Sequence, residues 1–521
     1  MSISATTLAH STIRQLLELG VSDFVLSPGS RNAPLSLALL AASRLGLADL
    51  HVRLDERGAA FFALGISKAS NKYVALICTS GTAVANYHPA ALEAYHANQK
   101  LLFLTADRPE RLRRTGSNQT TLQVGLLAPL HTIDTSETLD LSKILNDGPV
   151  HVNLCFDEPL ADSTHHNWLA GFTPNELKVS RKVPEVQITG KGKSILFIGH
   201  DRAGFTVDEV RDFARKLGAP VISEDPLSFP ESIPHAVLFL EVAPKADQVI
   251  VIGRTSLSRS VNSYISRTPE IIVIDPRTVH IDTKRTATQI LSVLPTVLAQ
   301  AKEFDWNSQW KIMGAYANEI ITNELEWSEQ KAIQAITSHL PGGSSLFIGS
   351  SRPIRDVEAF APNRADIATF ANRGLAGIDG NISTAFGISQ FFERNYAVLG
   401  DLTFLHDLSA LANAITNNLT IFIIDNNGGG IFSTLSHAGV DGFDEIFGTP
   451  HNLNLLGIIE SFGLSVEKVK GVSDIQRVLA ESNKGLHFVI VEVPSRTSNA
   501  LKLKAISQSV SNAVRIGSNL A

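Results

Sequence analysis

Only two cysteines occur in 521 residues. Cys78 and Cys155 each lie in an apolar, strand-like run, where a buried free thiol is the ordinary role. Neither a disulfide framework nor a cysteine-held metal is indicated, and a reducing cytoplasm fits. Charge is scarce too: 18% of residues are charged, and 45 Lys+Arg against 51 Asp+Glu give a formal net charge of -6. A nucleic-acid partner is excluded as an expectation, because phosphate-backbone binders carry a basic surplus. The opening MSISATTLAHSTIRQLLELG lacks a basic head followed by an apolar core, and no apolar run reaches spanning length. A soluble, intracellular chain with no membrane span is expected. No low-complexity segment is present, and no G-x-G-x-x-G follows a candidate strand, which argues against dinucleotide binding.

What is present is apolar material, 44% of the chain, in a length that exceeds a single core. Strand-like runs at 23–27, 73–79, 101–105 and 149–155 alternate with helical patterns such as 35–48. That alternation predicts parallel, helix-covered sheets. A polar stretch over 161–191 reads as a linker. A second set of strands follows at 194–198, 220–223, 249–252 and 271–274, with a helical segment expected between each and the next. A helix-rich connector, 305–340, leads to a third set. The expected architecture is α/β: three doubly wound domains with mainly parallel sheets, at 1–180, 190–310 and 335–521. SLFIGSSRPIRD at the start of the third set echoes DFVLSPGSRNAP of the first, which hints that these two domains are distant copies.

The richest segment is YAVLGDLTFLHDLSALANAITNNLTIFIIDNNGGGIF, 396–432, which reads strand, acidic turn, helix, strand, polar turn. Consecutive parallel strands are usually neighbours, so Asp401 and Asn426 at their carboxyl ends converge. With the Gly428 carbonyl they form a set of hard oxygen ligands suited to Mg2+ beside a diphosphate. Gly428, Gly429 and Gly430 allow close backbone approach and offer amides to phosphate oxygens, aided by a helix opening after Leu402. Taken singly, Asp401 is equally an N-cap and Asn426 part of an Asn-Gly turn.

In register, Gly-Asp, apolar helix, apolar strand and Asn-Asn-Gly resemble the GDG…NN signature of the thiamine-diphosphate-dependent enzymes. Leu402 replaces the usual third glycine, a feature shared with the menaquinone-pathway synthases of that family. The resemblance implies thiamine diphosphate and Mg2+ as cofactors, a pyrimidine-binding first domain, a structural middle domain and a diphosphate-binding third. It also implies a carboxyl group for the cofactor's aminopyrimidine, which must be protonated to react. Glu56 in HVRLDERGAAFFALGISKAS is the candidate; alone, a Glu at a helix start is a dipole contact. Small residues after it leave room for a flat ring or a partner subunit. Ser80, in ICTSGTAVAN, is a cofactor contact or simply an N-cap.

SPGSRNAPL, ADRPERLRRTGSNQT, GSSRPIRD and NRGLAGIDG are similar to motifs of the menaquinone-pathway synthases, in order and spacing. Independently, guanidinium forks bind carboxylates, and several in one cleft suit a polyanionic substrate, although each arginine alone commonly serves a salt bridge. The resemblance implies 2-oxoglutarate and isochorismate as substrates. Ser351, Arg355 and Arg373 would face the succinyl-forming carboxylate, and Ser30, Arg31, Arg108, Asn118 and Gln119 the isochorismate. Where the family has a Lys-Arg pair, this chain has Ser258 and Arg259, so one cationic contact is missing. Ile378 is expected as an apolar wedge against the cofactor, with Ile431 and Phe432 on its rings; core packing is an equal alternative. His88 and His406 read as ordinary polar residues, and 433–452 as either a lid or an exposed loop. At least a homodimer, or a homotetramer, is implied. Open alternatives are another thiamine-diphosphate carboligase, acetolactate-synthase-like, and a non-catalytic relative.

Overall fold

The apolar runs become parallel strands in a computed structural model that describes residues 3–145, 148–161, 167–173, 185–277, 286–301, 303–413, 417–436, 438–481 and 484–517. The chain divides into two units. The first comprises Met1–Arg181, Gly374–Phe392 and His406–Ile415; the second comprises Lys182–Arg373, Glu393–Leu405 and Thr416–Ala521.

In the first unit, β1 (Asp23–Leu26), β2 (Asp49–Val52), β3 (Val74–Cys78), β4 (Leu101–Asp107), β5 (Thr132–Thr135) and β6 (Val150–Cys155) form one sheet, ordered β2-β1-β3-β4-β6-β5. All its pairs are parallel. Every residue of β3 and β4 is buried, as a sheet covered on both faces requires. The chain leaves β1 toward one edge and β3 toward the other, so the loops after these two strands flank a crevice at the switch point. They also touch: a Cβ on Gly29 would meet Thr79 Cβ at 2.4 Å.

The Glu56–Ser70 helix starts where Asp55 caps it, its carboxylate accepting from Arg57 N at 3.0 Å. Gly58 to Ser67 are all buried. Its small residues pack against the Asn381–Ile388 helix of the same unit. A Cβ on Gly65 would lie 2.1 Å from Thr384 O, and one on Gly387 2.1 Å from Phe62 O. The two backbones therefore cross in direct contact, which only glycine permits.

In the second unit, β7 (Gln187–Thr189) and β13 (Thr296–Ala299) form a short parallel ribbon. Between them β8 (Ser194–Ile198), β9 (Val221–Ser223), β10 (Gln248–Ile252), β11 (Glu270–Ile274) and β12 (Gln289–Leu291) make a parallel sheet ordered β12-β11-β10-β8-β9. One expected helix is missing: between β9 and β10 lies only the 3-10 turn Ala236–Leu238. The switch point of this sheet is shut by backbone, with Arg254 N donating to Asp201 O at 3.0 Å. A Cβ on Gly253 would lie 2.0 Å from that same oxygen. The connector forms helices Phe304–Glu324 and Glu329–His339. Trp310, fully buried against Phe239 and Tyr264, anchors the first of them, a burial that contributes about 3 kcal/mol at most.

The last sheet contains β14 (Ser344–Ile348), β15 (Ile367–Phe370), β16 (Asn395–Gly400), β17 (Leu419–Asp425), β18 (Ser465–Val469) and β19 (Leu486–Glu492). Its order, β15-β14-β16-β17-β19-β18, repeats that of the first sheet strand for strand. The echo between SPGSR and GSSR is thus one of equivalent loops after equivalent strands. Most of the linker expected at 161–191 lies outside the described residues. Among the described residues no helix is long and apolar enough to cross a membrane.

Candidate active site

β16 and β17 pair in register, Gly400 opposite Ile424, so the residues that follow them emerge side by side. The short helix Asp401–His406 begins at Asp401 itself, not after Leu402. Asp401 is 2% exposed. Its Oδ1 accepts from Leu402 N at 2.6 Å and its Oδ2 from Gly428 N at 2.8 Å, which binds the Asn426–Gly428 turn to the neighbouring strand end. Asn426 donates from Nδ2 to Glu329 Oε1 at 2.6 Å. Its Oδ1 is buried with no hydrogen-bond partner among the described residues. A buried orphan acceptor requires a partner, and a cation is one. Carboxylate, carboxamide oxygen and the Gly428 carbonyl form a donor set that fits Mg2+. The glycine amides do not face outward as expected: Gly428 N donates to Asp401, Gly429 N to Gly448 O at 2.8 Å, and Gly430 N to Gly428 O at 2.9 Å. The Leu402 amide is likewise engaged by Asp401.

Four residues not singled out from the sequence complete this corner. Glu329, 3% exposed, is held by Asn499, which donates to Oε1 at 3.0 Å and accepts from Glu329 N at 3.1 Å. Burial, then the charge of Asp356, pushes its carboxyl up to about 7, and in either state it offers Asn426 an acceptor oxygen. His451 Nε2 lies 3.3 Å from Asp401 Oδ2 and 3.8 Å from Asp425 Oδ1, and its hydrogen bond to Asp401 raises its pKa. Burial and then the Asp401 charge raise Asp425. Arg496 donates to Asn427 O and to Gly448 O, and pairs with Asp444 at 3.0 Å. The 433–452 segment is therefore stitched down at its far end, where Asn452 N also donates to Asn427 Oδ1 at 2.9 Å; around Val440–Asp441 it is exposed. Asp425 was readable as the residue before Asn426. Glu329 comes from a distant segment and His451 from the end of the 433–452 stretch, neither with a spacing signal.

A cleft of about 450 Å³ in the second unit is lined by Ser256, Ser258, Arg259, Arg352, Arg355, Glu358 and Ile431 among others. Arg355 Nη1 donates to Ser351 O at 2.6 Å. Burial, then the charges of Arg373 and Arg352, lowers the Arg355 pKa. Arg373, 5% exposed, donates to Ser256 Oγ at 2.7 Å, and its buried Nε has no hydrogen-bond partner among the described residues. Burial, with the neighbouring Glu224 charge, holds Glu358 well above the usual carboxylate range. Arg259 is exposed and makes no ion pair among the described residues. Ser258 caps its helix, accepting from Ser260 N and Val261 N, which gives it a structural task. Phe432 stacks obliquely on Phe447, ring centroids 5.7 Å apart, and Ile431 is half-buried.

In the first unit, Ser80 is not an N-cap: Gly81 holds that position, without a side-chain bond. Ser80 Oγ donates to Gln119 O at 2.8 Å and accepts from Arg108 at 3.0 Å. Arg108 also reaches Gln119 O at 2.9 Å, and burial followed by the charge of Arg31 lowers its pKa. Arg31 donates to Phe156 O at 3.1 Å and faces Glu158 at 3.3 Å. Ser30 turns the chain into the next helix, its carbonyl accepting from Ala33 N, while Asn118 and Gln119 are exposed. Glu56 is half-buried at the start of its helix; burial first, and the Glu56 charge among lesser causes, raises the Cys78 thiol at the end of β3. Ile378 is half-buried and belongs to this unit, Ile431 and Phe432 to the other. His88 bonds Ala128 O at 2.8 Å, and His406 O accepts from Arg57 at 2.8 Å, both structural roles.

Two sheets of one strand order, the later one ending in a hard-oxygen ligand set, frame the comparison with known proteins. Residues 6–126 match the family described as thiamine pyrophosphate enzyme, N-terminal TPP binding domain, and residues 358–493 match its C-terminal TPP binding domain. The class is that of thiamine-diphosphate-dependent enzymes, with Mg2+ as the partner ion. A protein of Nocardioides sp. is 36% identical over 95% of this chain and 96% of its own length. One of Thermobifida fusca is 32% identical over 98% and 100%, and one of Bacillus cytotoxicus 32% over 92% and 92%. All three carry the name 2-succinyl-5-enolpyruvyl-6-hydroxy-3-cyclohexene-1-carboxylate synthase. This chain belongs to that synthase family.

Proposed function

We propose that the enzyme decarboxylates 2-oxoglutarate and adds the remaining succinyl unit across the conjugated ring of isochorismate, giving 2-succinyl-5-enolpyruvyl-6-hydroxy-3-cyclohexene-1-carboxylate for menaquinone biosynthesis. The relatives' shared name supports the product. The observation that carries the substrate reading is the gathering of like charge. Burial and then the charges of Arg373 and Arg352 lower Arg355, and burial and then the charge of Arg31 lowers Arg108, a cost that a bound anion would offset at each. Each substrate brings two carboxylates.

In this reading Ser351, Arg355 and Arg373 bind the carboxylate of 2-oxoglutarate, and Ser30, Arg31, Arg108, Asn118, Gln119 and Arg259 bind isochorismate. Asp401, Asn426 Oδ1 and the Gly428 carbonyl hold Mg2+ and, with Leu402, Gly429 and Ser80, the cofactor. Ile378, Ile431 and Phe432 flank its rings, and Glu56 holds a proton against its aminopyrimidine nitrogen. When bound, thiamine diphosphate supplies the nucleophilic carbon and electron sink that 2-oxo-acid decarboxylation needs. The domains are read as 1–180 for the pyrimidine, 190–310 as scaffold and 335–521 for the diphosphate, in a cytoplasmic homodimer or homotetramer.

The test is an assay with Mg2+, thiamine diphosphate and 2-oxoglutarate, with and without isochorismate. Consumption of 2-oxoglutarate coupled to isochorismate loss supports the proposal. Consumption of pyruvate with 2-oxoglutarate untouched overturns it in favour of an acetolactate-synthase-like activity.

A further inference from the structure

Glu93 lies in the His88–Ala97 helix of the first unit and is 3% exposed. Its Oε1 accepts from Gly374 N at 2.7 Å, and its Oε2 from Leu375 N at 2.7 Å and Ala376 N at 3.2 Å. Three successive amides of one loop thus converge on a single carboxylate, and among the described residues no cation pairs with it. Loop amides ordinarily face water, and a carboxyl taken out of water without a counter-cation is unfavourable unless N–H donors replace its hydration. A loop that needed only packing would place an apolar side chain here.

The loop is not anchored by its own apolar side chain, since Leu375 is 54% exposed. Ala376 sits at φ 61, a left-handed conformation that L-residues rarely adopt and that persists where surrounding contacts impose it. Gly374 has no room for a side chain: a Cβ there would lie 2.3 Å from Glu93 O and 3.0 Å from the Glu93 carboxyl group. The residue immediately before this clamped tripeptide is Arg373, buried and donating to Ser256 Oγ at 2.7 Å.

We propose that Glu93 is a positioning residue for Arg373: by gripping the amides of 374–376 it sets the backbone from which the substrate-binding guanidinium departs. The proposal rests on the assignment of Arg373 to the 2-oxoglutarate carboxylate. Both Glu93 carboxylate oxygens are engaged by these loop amides. Its carboxylate is acceptor-only, so a glutamine would set an N–H against an N–H and release one end of the tripeptide.

The experiment compares the full-length holoenzyme with Glu93→Gln, Gly374→Ala, Arg373→Lys and the Glu93→Gln/Arg373→Lys double variant. Steady-state KM and kcat for 2-oxoglutarate are measured, with thiamine diphosphate affinity by calorimetry and Tm alongside. Glu93→Gln is expected to raise KM about tenfold or more, since misplacement of a binding group by an ångström is costly, while kcat and cofactor affinity stay within about threefold. In the Arg373→Lys background it adds little further, because both changes remove one contact. Gly374→Ala, which pushes the loop off the carboxylate without altering Glu93, gives the same KM signature and carries the test should Glu93→Gln fail to fold. A KM unchanged in Glu93→Gln and Gly374→Ala but raised in Arg373→Lys overturns the proposal and leaves the substrate site standing. Additive effects in the double variant overturn it too. An unchanged KM in Arg373→Lys removes Arg373 from the substrate site and the proposal with it.

Discussion

Asn426 donates its side-chain N–H to Glu329 at 2.6 Å, and the opposite end of the same amide, Oδ1, is buried without a partner among the described residues. Glu329 Oε1 accepts from both Asn426 and Asn499 side-chain amides, so Glu329 fixes which end of the Asn426 amide faces the ligand set. Glu329→Ala should therefore let the amide rotate and weaken Mn2+ binding, measured by EPR titration with thiamine diphosphate present. The expected loss is about 10- to 100-fold, the range typical of groups that orient metal ligands. An unchanged Mn2+ affinity would show that Asn426 is held by other means.

Glu56→Gln keeps the shape of the helix start and removes the ionisable proton. Turnover should fall by about 100-fold or more, the usual scale of general acid–base assistance. Cofactor affinity should stay within about tenfold, because one hydrogen bond is at stake. Near-normal turnover would remove Glu56 from the reaction.

The two arginine clusters make separable predictions. Arg355→Lys should raise KM for 2-oxoglutarate by about 10- to 100-fold, the loss of a charge-assisted, forked hydrogen bond. Arg108→Lys should raise KM for isochorismate by a similar factor and leave 2-oxoglutarate decarboxylation alone. Effects that fall on the other substrate would exchange the assignments.

Acid stability should depend on a buried histidine. His151 is fully buried between Thr105, 2.8 Å from Nε2, and Thr132, 2.9 Å from Nδ1. Burial lowers its pKa from 6.5 to about 4, so the native state keeps it neutral while the unfolded chain takes up a proton below pH 6.5. Its contribution is complete above pH 6.5 and is lost as pH falls toward 4, up to about 3 kcal/mol. Buried His235, also lowered, adds to the same slope. Chemical denaturation between pH 7.5 and 4.5 should show the decline, and His151→Gln should flatten part of it. An identical slope in that variant would exclude His151 as its source.

Much of the fold was legible because parallel sheets leave strong local marks: buried runs such as Val74–Cys78 and the matched loops after β1 and β14. The adjacency of Asp401 and Asn426 was legible because a single crossover joins their strands, which makes it nearly automatic. What the sequence concealed depends on contacts between remote segments. The glycines of 428–430 looked free to present amides outward, yet the far end of the following loop, through Gly448, takes one of them. The small residues of the Glu56–Ser70 helix advertised close approach without saying by what, and a helix over 300 residues later fills the space. Glu329 and His451 carried no periodicity or spacing that could link them to Asp401.

The most direct measurement of the central claim is calorimetric titration of thiamine diphosphate into the purified protein, with Mg2+ and with EDTA, for the native chain and for Asn426→Ala. The account predicts saturable binding that needs the divalent ion and is weakened by about tenfold or more in the variant, as expected when an oxygen ligand is removed from a small set. Heat-silent titrations with excess Mg2+, or binding indifferent both to EDTA and to Asn426→Ala, would contradict it.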